Sequence, residues 1–436
     1  MALSIRLERF QGEQSMLMQL EQVVPFGRSL DENQFFLHYQ RTQNFKFTQM
    51  TKILDLGRRF SHKVRDRVFY TKSPKYLTSP LYAKKFNAKW HKVYEQMPSK
   101  RSPPIYYGTL VVDLQRRLDS EFPEAGVLEL NNALLYRKDG WIFSKEGYLL
   151  PDHSWYGRYV NEMMNVPKFL PRGKRLEGVC LSLASDFAVR GYGHFIIDCL
   201  SRLELFYKAG FKLTDVDHIF CPKPTPGNAQ FLFSQLDLPA NKCIWADQNV
   251  ALRVDTLLAP TFPGTRRNYP KWVPEFLHRE FLQAHLKVGG VESQPQPSRR
   301  LFISRSGYTR NLENESSVHR ILIQHGFEIY NPMEHTKSHL DFSEATTIVG
   351  VSGSALTGLA FCQPGTKVLE LIPSDHVYPY YYTLSDAAGL EYGCLIGRST
   401  NERNPDAWGP SPYNFSVDED EFDNALTQIT CETKSN

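Results

Sequence analysis

The chain has 436 residues, of which 41% are hydrophobic and 13% aromatic, enough apolar material for two domains of ordinary size. Its formal net charge of +4 is too small to indicate nucleic-acid binding, and no run of eighteen or more apolar residues predicts a membrane-spanning helix. Charged residues interrupt the first twenty positions, so no signal peptide is predicted and a cytoplasmic location is expected. Seven widely spaced cysteines without a Cys-x-x-Cys motif are typical of reduced thiols.

Residues 1–102 are predicted to form a basic, aromatic-rich extension before the main domains. Residues 46–101 carry fifteen Lys or Arg against three acidic residues, a balance of +12 that leaves −8 for the rest of the chain. The first interpretation is a solvated basic surface. The second is peripheral contact with an anionic membrane or a lipid-linked acceptor. Nucleic acid is not expected as a partner, because no recognised binding motif accompanies the charge.

Residues 103–262 are predicted to form an α/β domain that begins with β-strands. Asp139-Gly140 indicates a hairpin within residues 126–151. The carboxylates of Asp215-Val-Asp217 precede a predicted strand and are expected to cap backbone amides, with divalent-metal binding as the disfavoured alternative. Residues 263–298 are predicted to form a crossover helix followed by a flexible linker that contains prolines.

A helix that starts near Gly193 carries three ionisable residues on one face. His194, Asp198 and Arg202 lie at i, i+4 and i+8, while the residues between them are largely apolar. Burial without partners is costly, so these groups either form a structural contact that anchors the helix end or line a cleft. The cleft is favoured because Gly191 and Gly193 allow close backbone approach where the helix begins.

Residues 299–398 alternate between short apolar segments and amphipathic helices. Strands are predicted at residues 301–304, 327–330, 346–351 and 367–372, and helices at residues 313–324 and 338–345. This pattern predicts a parallel sheet that binds its ligand at the carboxyl ends of the strands. The remaining residues, 399–436, form an acidic tail.

Small residues follow the third of these strands in the run Gly-Val-Ser-Gly-Ser-Ala-Leu-Thr-Gly, residues 350–358. A tight turn into a helix exposes backbone amides and favours an anion, so the run predicts a phosphate site. The spacing matches neither the Gly-x-Gly-x-x-Gly of a dinucleotide site nor a P-loop. A nicotinamide-dependent oxidoreductase is therefore disfavoured.

The order of the motifs resembles the carboxyl-terminal half of glycosyltransferase family 61. These motifs are Ile-Ser-Arg at residues 303–305, Arg310, Asn-Glu at 314–315, Gly-Val-Ser-Gly-Ser-Ala-Leu-Thr-Gly-Leu-Ala-Phe at 350–361 and Pro-Gly-Thr-Lys-Val-Leu-Glu-Leu at 364–371. The family includes plant xylosyl- and arabinosyltransferases, animal O-GlcNAc-type transferases and bacterial relatives, and this chain looks like a bacterial-type member. The resemblance covers roughly residues 126–397.

This resemblance implies a GT-B architecture: two Rossmann-like α/β domains that face a cleft, here with a basic amino-terminal extension. It also implies a nucleotide-sugar donor, a glycan, lipid-linked or peptide acceptor, and an inverting mechanism that requires no metal or other cofactor. His194, Asp198 and Arg202 match the family segment Tyr-His-Trp-Leu-Leu-Asp-Val-Leu-Pro-Arg-Leu. The chain departs from the family at Ser352, where His is common, and at Gly358, where Asn is common.

Under this hypothesis the carboxyl-terminal domain binds the donor. Arg305 and Arg310 are suited to the diphosphate, because a guanidinium matches phosphate oxygens; a surface ion pair with Glu313 or Glu315 is the alternative. The candidate amide donors are Ser352, Gly353, Ser354 and Ala355. Glu370, at a predicted strand end, either accepts from ribose hydroxyls or is a plain strand-end carboxylate.

The catalytic base is expected on the amino-terminal domain, across the cleft from the donor. Asp198 and His194 are the candidates, and Asp198 is favoured because a carboxylate is already deprotonated at neutral pH. The tyrosines at 380–382 are expected in the core or at an interface, with sugar stacking as the alternative. The rival to an enzyme is a non-catalytic nucleotide- or glycan-binding protein with a transferase fold.

Overall fold

The structure, a computed structural model, describes residues 69–70, 75–118, 120–153, 170–189, 191–264, 268–282, 297–401 and 411–431. Tyr70–Asn436 form one compact unit. Residues 46–68 and 71–74 lie outside the described residues, so the membrane interpretation of the basic extension stays a prediction. Among the described residues, no helix combines the length and apolar character needed to cross a lipid bilayer.

The described strands and helices follow one another along the whole unit. The strands of the amino-terminal part are β1 (Phe69–Tyr70), β2 (Lys75–Tyr76), β3 (Lys89–Tyr94), β4 (Met97–Pro98), β5 (Ile105–Tyr107), β6 (Glu121–Phe122), β7 (Ala125–Tyr136), β8 (Trp141–Phe143), β9 (Tyr148–Leu149), β10 (Leu170–Pro171), β11 (Lys174–Ser182), β12 (His218–Cys221), β13 (Cys243–Trp245) and β14 (Ala251–Pro260). Those of the carboxyl-terminal part are β15 (Arg299–Ile303), β16 (Glu328–Tyr330), β17 (Ala345–Val351), β18 (Lys367–Pro373), β19 (Glu391–Ser399) and β20 (Phe415–Ser416). The α-helices are α1 (Ser79–Phe86), α2 (Arg202–Lys208), α3 (Asn228–Ser234), α4 (Trp272–Phe281), α5 (Glu315–Gln324), α6 (Ser338–Ser343), α7 (Tyr380–Ala387) and α8 (Glu419–Thr430).

The carboxyl-terminal sheet has the strand order β16-β15-β17-β18-β19, and all of these strands run parallel. In chain order this is 2-1-3-4-5, one of the common orders of doubly wound α/β folds. The order in which successive strands are added to the sheet reverses between β15 and β17, although all the strands remain parallel. In such folds the crevice at the carboxyl ends of those two strands is where ligands bind.

The amino-terminal sheet contains a parallel group in the order β13-β12-β11-β14, with β7 antiparallel beside β14. In chain order the parallel group is 3-2-1-4, the order of a Rossmann half, and it reverses between β11 and β14. A hairpin joins β7 to β8, with Asp139-Gly140 in its turn and Gly140 at a φ of 74°, as predicted.

The central strands β17 and β18 of the carboxyl-terminal sheet and the carboxyl-terminal halves of β11 and β14 are buried and largely apolar, as parallel strands covered on both faces must be. In β17, for example, six of the seven residues are buried. One hydrophobic cluster contains residues of both sheets, among them Leu181, Phe195, Phe276, Phe361 and Ile372. A second cluster lies between the carboxyl-terminal sheet and the helices α5 and α8.

The predicted boundary at residue 102 differs from the structure. Strand β3 pairs with β7, and Ser79 at the start of α1 bonds to His153 through its hydroxyl, with an Oγ–Nε2 distance of 2.7 Å. Residues 75–94 are therefore part of the amino-terminal sheet and its covering helix. The boundary was predicted from the excess of basic residues, and the charge of a segment does not indicate which strand it pairs with.

Strand β5 belongs to the carboxyl-terminal sheet, although it precedes β7 in the chain. Ile105–Tyr107 pairs in parallel with Gly393–Leu395 of β19. Arg101, just before β5, donates to Asp386 of α7 at 2.8 Å and to Asn268 at 2.7 Å, and its side chain is only 4% exposed. A buried ion pair of this kind fixes the segment that passes from one sheet to the other.

Candidate functional site

Two arginines and a glycine-containing turn meet at the reversal point of the carboxyl-terminal sheet. Arg305 follows β15, and Gly353 follows β17 in the neighbouring loop. A methyl group built on Gly353 would lie 1.9 Å from Nη1 of Arg305, so the guanidinium is packed directly on the turn. A side chain at this position would displace the guanidinium from the turn.

Arg305 has no carboxylate partner among the described residues. Its Nε donates to the carbonyl of Thr309 at 2.7 Å. Burial, together with the nearby positive charge of Arg310, lowers the pKa of Arg305 to about 10. The alternative of an ion pair with Glu313 or Glu315 is therefore wrong for Arg305. The positive charge of Arg305, which has no carboxylate partner among the described residues, would be stabilised by a bound anion.

The small-residue turn presents three backbone amides at the same place. The Ser352 amide donates to Leu371 across the sheet at 3.0 Å, which removes it from the predicted set of donors. Within the described residues, the amides of Gly353, Ser354 and Ala355 make no backbone hydrogen bond. The helix that follows, Ser354–Phe361, is of the 3₁₀ type, not the expected α-helix. The amides themselves, more than an α-helix dipole, are thus the candidate anion-binding groups.

Glu370 lies inside strand β18 and not at its end, which corrects the prediction. Its side chain is fully buried, and Oε2 accepts a hydrogen bond from the Tyr392 hydroxyl at 2.6 Å. Its Oε1 has no hydrogen bond of regular geometry among the described residues, although the Ser352 hydroxyl lies nearby and stabilises the carboxylate. Burial raises the pKa of Glu370 to about 7. A ribose contact would require this side chain to become accessible, and the role stays a prediction.

Tyr308 and Tyr381 flank the arginine pair. The Arg305 guanidinium carbon lies 5.9 Å from the centre of the Tyr308 ring. Tyr381, half-buried in the first turn of α7, is close enough to interact electrostatically with Arg305, Arg310 and Glu370. Its neighbour Tyr382 is 1% exposed and part of the core, so sugar stacking is wrong for that residue.

The reversal point of the amino-terminal sheet is closed by Arg202, which is fully buried. Its Nη1 donates to the carbonyl of Ala184 after β11 at 2.9 Å, and its Nε donates to that of Pro260 at the end of β14 at 3.1 Å. Burial lowers the pKa of Arg202 to about 10. Arg202 thereby fixes the π-helical segment His194–Leu200 and α2 above the carboxyl ends of both strands.

His194 and Asp198 form a close pair in that π-helical segment. The distance from Nδ1 of His194 to Oδ2 of Asp198 is 2.6 Å. Asp198 is completely buried, whereas the His194 side chain is 25% exposed. Burial raises the pKa of Asp198, opposed by the neighbouring His194 and Arg202. Because only His194 reaches the surface, the structure favours His194 as the proton-accepting group and Asp198 as the residue that orients it.

Phe187 packs beside His194 in a backbone conformation that is unusual for a bulky residue. Its φ is 65°, and the two ring centres are 5.3 Å apart. The preceding residue, Asp186, is buried and accepts from Nε1 of Trp141 at 2.9 Å, which fixes the turn. Phe187 remains 42% exposed. Strained backbone conformations of this kind are often found at functional sites. Here the strained residue places its ring directly against the His194 imidazole.

The two sites are adjacent. A methyl group on Gly193 would lie 2.6 Å from the Thr357 hydroxyl oxygen, so the start of the π-helical segment contacts the 3₁₀ helix after the small-residue turn. Gly358 packs on the Phe342 ring, where a methyl group would meet ring carbons at 2.5 Å. An asparagine, common at this position in the family that the sequence resembles, would not fit without rearrangement of Phe342.

Sequence reasoning missed two residues that shape these sites, Tyr392 and Phe187. Tyr392 contacts the site only through the pairing of β18 with β19, which no local pattern reveals. Phe187 lies in a polar connection without periodicity. The predicted capping roles of Asp215 and Asp217 are confirmed: their carboxylates accept from the amides of Lys212 at 2.7 Å and Val179 at 2.8 Å.

The chain is similar in sequence to known glycosyltransferases. Residues 192–369 match the family model described as Glycosyltransferase 61, a segment that contains His194, Asp198, Arg305, Arg310 and the small-residue turn. The chain is also similar to the β-1,2-xylosyltransferase RCN11 of Oryza sativa subsp. japonica, with 30% identity over 121 residues. That alignment covers 28% of this chain and 21% of the rice protein, so the chain matches about a fifth of that relative's length.

Proposed function

We propose that this chain is a glycosyltransferase that transfers a sugar from a nucleoside diphosphate donor to a glycan acceptor. The observation that carries the proposal is the placement of Arg305 on the Gly353 turn, at the reversal point of a parallel sheet, without a carboxylate partner among the described residues. A diphosphate supplies the missing negative charge. The family match over residues 192–369 supports the same class of reaction.

The donor diphosphate binds where the two arginines meet the turn. Arg305 and Arg310 neutralise the phosphate oxygens, and the amides of Gly353, Ser354 and Ala355 donate to them. These groups stabilise the nucleoside diphosphate as it leaves, which is the part that a metal ion performs in other transferases. The proposal therefore includes a reaction that is independent of divalent metal.

The acceptor hydroxyl is activated from the amino-terminal side. His194 takes the hydroxyl proton as the acceptor oxygen forms its bond to the anomeric carbon, and the carbon–diphosphate bond breaks on the opposite face. Asp198 orients the imidazole and stabilises its protonated form, because it receives the Nδ1–H at 2.6 Å. A single displacement of this kind inverts the configuration at the anomeric carbon. The two Rossmann-like sheets would then correspond to the halves of a GT-B enzyme.

Calorimetry with UDP, with and without EDTA, tests the donor site. We expect binding in both conditions, and loss of binding on chelation would overturn the metal-independent part. Incubation with a panel of nucleotide sugars, followed by detection of released nucleotide, tests the transferase activity. Binding of UDP without turnover of any donor, in the presence of a glycan panel, would instead favour a non-catalytic nucleotide-binding protein.

A peripheral membrane contact of the basic extension is a separate part of the proposal. Its support is the +12 balance of residues 46–101. Sedimentation with anionic vesicles at rising salt tests it, with neutral vesicles as the control. Truncation for this experiment must stop before Tyr70, because α1 and β3 belong to the amino-terminal sheet and its covering helix.

A further inference from the structure

The loop after β15 places an aromatic ring beside the proposed phosphate site. Tyr308 donates its amide to the carbonyl of Arg305 at 3.1 Å, which closes a β-turn with Gly307 at a φ of 84°. The Ser306 amide donates to the Ser304 hydroxyl at 3.2 Å. These bonds define the backbone conformation of the loop locally.

Tyr308 is 55% exposed, although it is a large aromatic residue and lies next to a half-buried arginine. The Arg305 guanidinium lies on one side of the ring, at 5.9 Å from its centre. The rest of the ring contributes an open apolar surface at the carboxyl edge of the sheet. This edge is where a nucleotide bound at the reversal point would extend from its phosphates.

We infer that the Tyr308 ring is the platform on which the nucleobase of the donor stacks, next to the diphosphate on Arg305. The inference rests on the proposed function, because it assigns the base of the same donor. Stacking between a base and an aromatic side chain is tolerant of base identity, since every base has a π-face. Tyr308 therefore contributes affinity for the nucleoside part, and Arg305 contributes affinity for the phosphates.

Tyr308 could instead only hold the Arg305 side chain in place. Binding of inorganic pyrophosphate distinguishes this supporting role from a role in binding the base. Pyrophosphate has the charges of the donor but no base. If Tyr308 only holds Arg305 in place, its removal weakens UDP and pyrophosphate equally. If it binds the base, only UDP is affected.

The experiment measures UDP and pyrophosphate binding by calorimetry for the full chain and the variants Tyr308→Ala, Tyr308→Phe and Tyr308→Trp. We expect Tyr308→Ala to weaken UDP binding by about tenfold or more and to change pyrophosphate binding by less than about twofold. The Phe and Trp variants, which keep a ring, should retain most of the UDP affinity. Thermal unfolding of each variant confirms that the exposed substitution leaves the fold intact.

Equal losses for the two ligands, or no loss for either, would overturn the stacking role while leaving the diphosphate site in place. A wild-type protein that binds UDP no better than pyrophosphate would overturn it as well. If the wild-type protein binds neither ligand, the proposed diphosphate site fails and the base platform fails with it.

Discussion

Gly193 and Thr357 touch across the two halves of the molecule: a methyl group on Gly193 would lie 2.6 Å from the Thr357 hydroxyl oxygen. Gly193 immediately precedes His194, and Thr357 lies in the 3₁₀ helix that follows the small-residue turn. The proposed base and the proposed donor site therefore meet at a contact that leaves no room for a side chain at residue 193 unless the Thr357 hydroxyl moves.

Gly193→Ala is expected to destabilise the protein by about 1–3 kcal/mol, the usual cost of overpacking a buried contact. The new methyl group at residue 193 would lie 3.8 Å from the Thr357 β-carbon, which is an ordinary contact distance. Removal of the Thr357 hydroxyl should therefore relieve the clash with that methyl group. The double variant Gly193→Ala/Thr357→Ala should recover most of the loss. Chemical unfolding of the four proteins measures this coupling, and strictly additive effects would contradict it.

His194→Ala is expected to reduce turnover by about 100-fold or more while UDP affinity stays near normal, because the general base is lost and the donor site is untouched. Asp198→Asn should reduce turnover too, since it removes the acceptor for the Nδ1–H of His194. The double variant should be no worse than His194→Ala, because Asp198 acts through His194. Rates of nucleotide release provide the measurement. A much larger loss for Asp198→Asn alone would make Asp198 the base.

Arg305→Ala should weaken UDP binding by roughly 1.5–3 kcal/mol, the scale of hydrogen bonds to charged groups. Gly353→Ala offers a matched variant, because a methyl group there lies 1.9 Å from Nη1 and pushes the guanidinium off the turn without removing its charge. We expect both variants to weaken UDP binding in calorimetry. Normal affinity in Gly353→Ala would show that the arginine can bind the diphosphate from another position.

Glu370→Gln is expected to remove a pH-dependent loss of stability. Burial raises the Glu370 pKa from the ordinary value of 4.5 to about 7, so the fold favours the neutral acid. The contribution of Glu370 to wild-type stability is therefore unchanged below pH 4.5, falls as pH rises from about 4.5 to about 7, and levels off above that, where both states are ionised. The stability difference between variant and wild type should shift by roughly 3 kcal/mol in favour of the variant between pH 4.5 and pH 8.

Urea unfolding at several pH values measures this difference. Glu391→Gln, on the exposed end of the neighbouring strand β19, is the matched control. A difference for Glu370→Gln that does not change with pH would show that Glu370 has the same pKa in the folded and the unfolded protein.

Phe187→Gly is expected to be more stable than Phe187→Ala by about 1 kcal/mol, the reverse of the usual order. Both variants lose the ring, but only glycine adopts a φ of 65° without strain. Thermal unfolding of the two variants tests the strain directly. If alanine is the more stable replacement, the backbone at Phe187 is not strained.

Much of the fold follows from local patterns in the sequence. The strand at residues 218–221 is predicted at its observed bounds, and β15 to β18 of the carboxyl-terminal sheet within two residues, because each is a short apolar run between turn residues. Strand β19 of the same sheet was not predicted. The placement of Arg305 after β15 and of the glycine turn after β17 follows from the same runs. In parallel sheets, residues after adjacent strands necessarily meet at one edge.

The parts that could not be predicted depend on contacts between distant segments. The spacing of His194, Asp198 and Arg202 places them on one face of a helix, but it does not say what covers each of them. Strand ends β11 and β14 bury Arg202, and the same packing leaves only His194 accessible. The choice between His194 and Asp198 as the base thus depends on which side chain is exposed, and the helical spacing of the residues does not predict that.

The pairing of β5 with β19 bears on the order in which the chain can fold during synthesis. Ile105–Tyr107 leaves the ribosome long before Gly393–Leu395, and it must wait for that partner while the segments that form the amino-terminal sheet are being made. Tyr107 belongs to the hydrophobic cluster of the carboxyl-terminal sheet, so its burial comes last, although it is among the first core residues to emerge. A fragment that begins after residue 107 would lack this strand of the carboxyl-terminal sheet. Because a segment that precedes the amino-terminal sheet in the chain completes the carboxyl-terminal sheet, the two sheets should unfold as one cooperative unit.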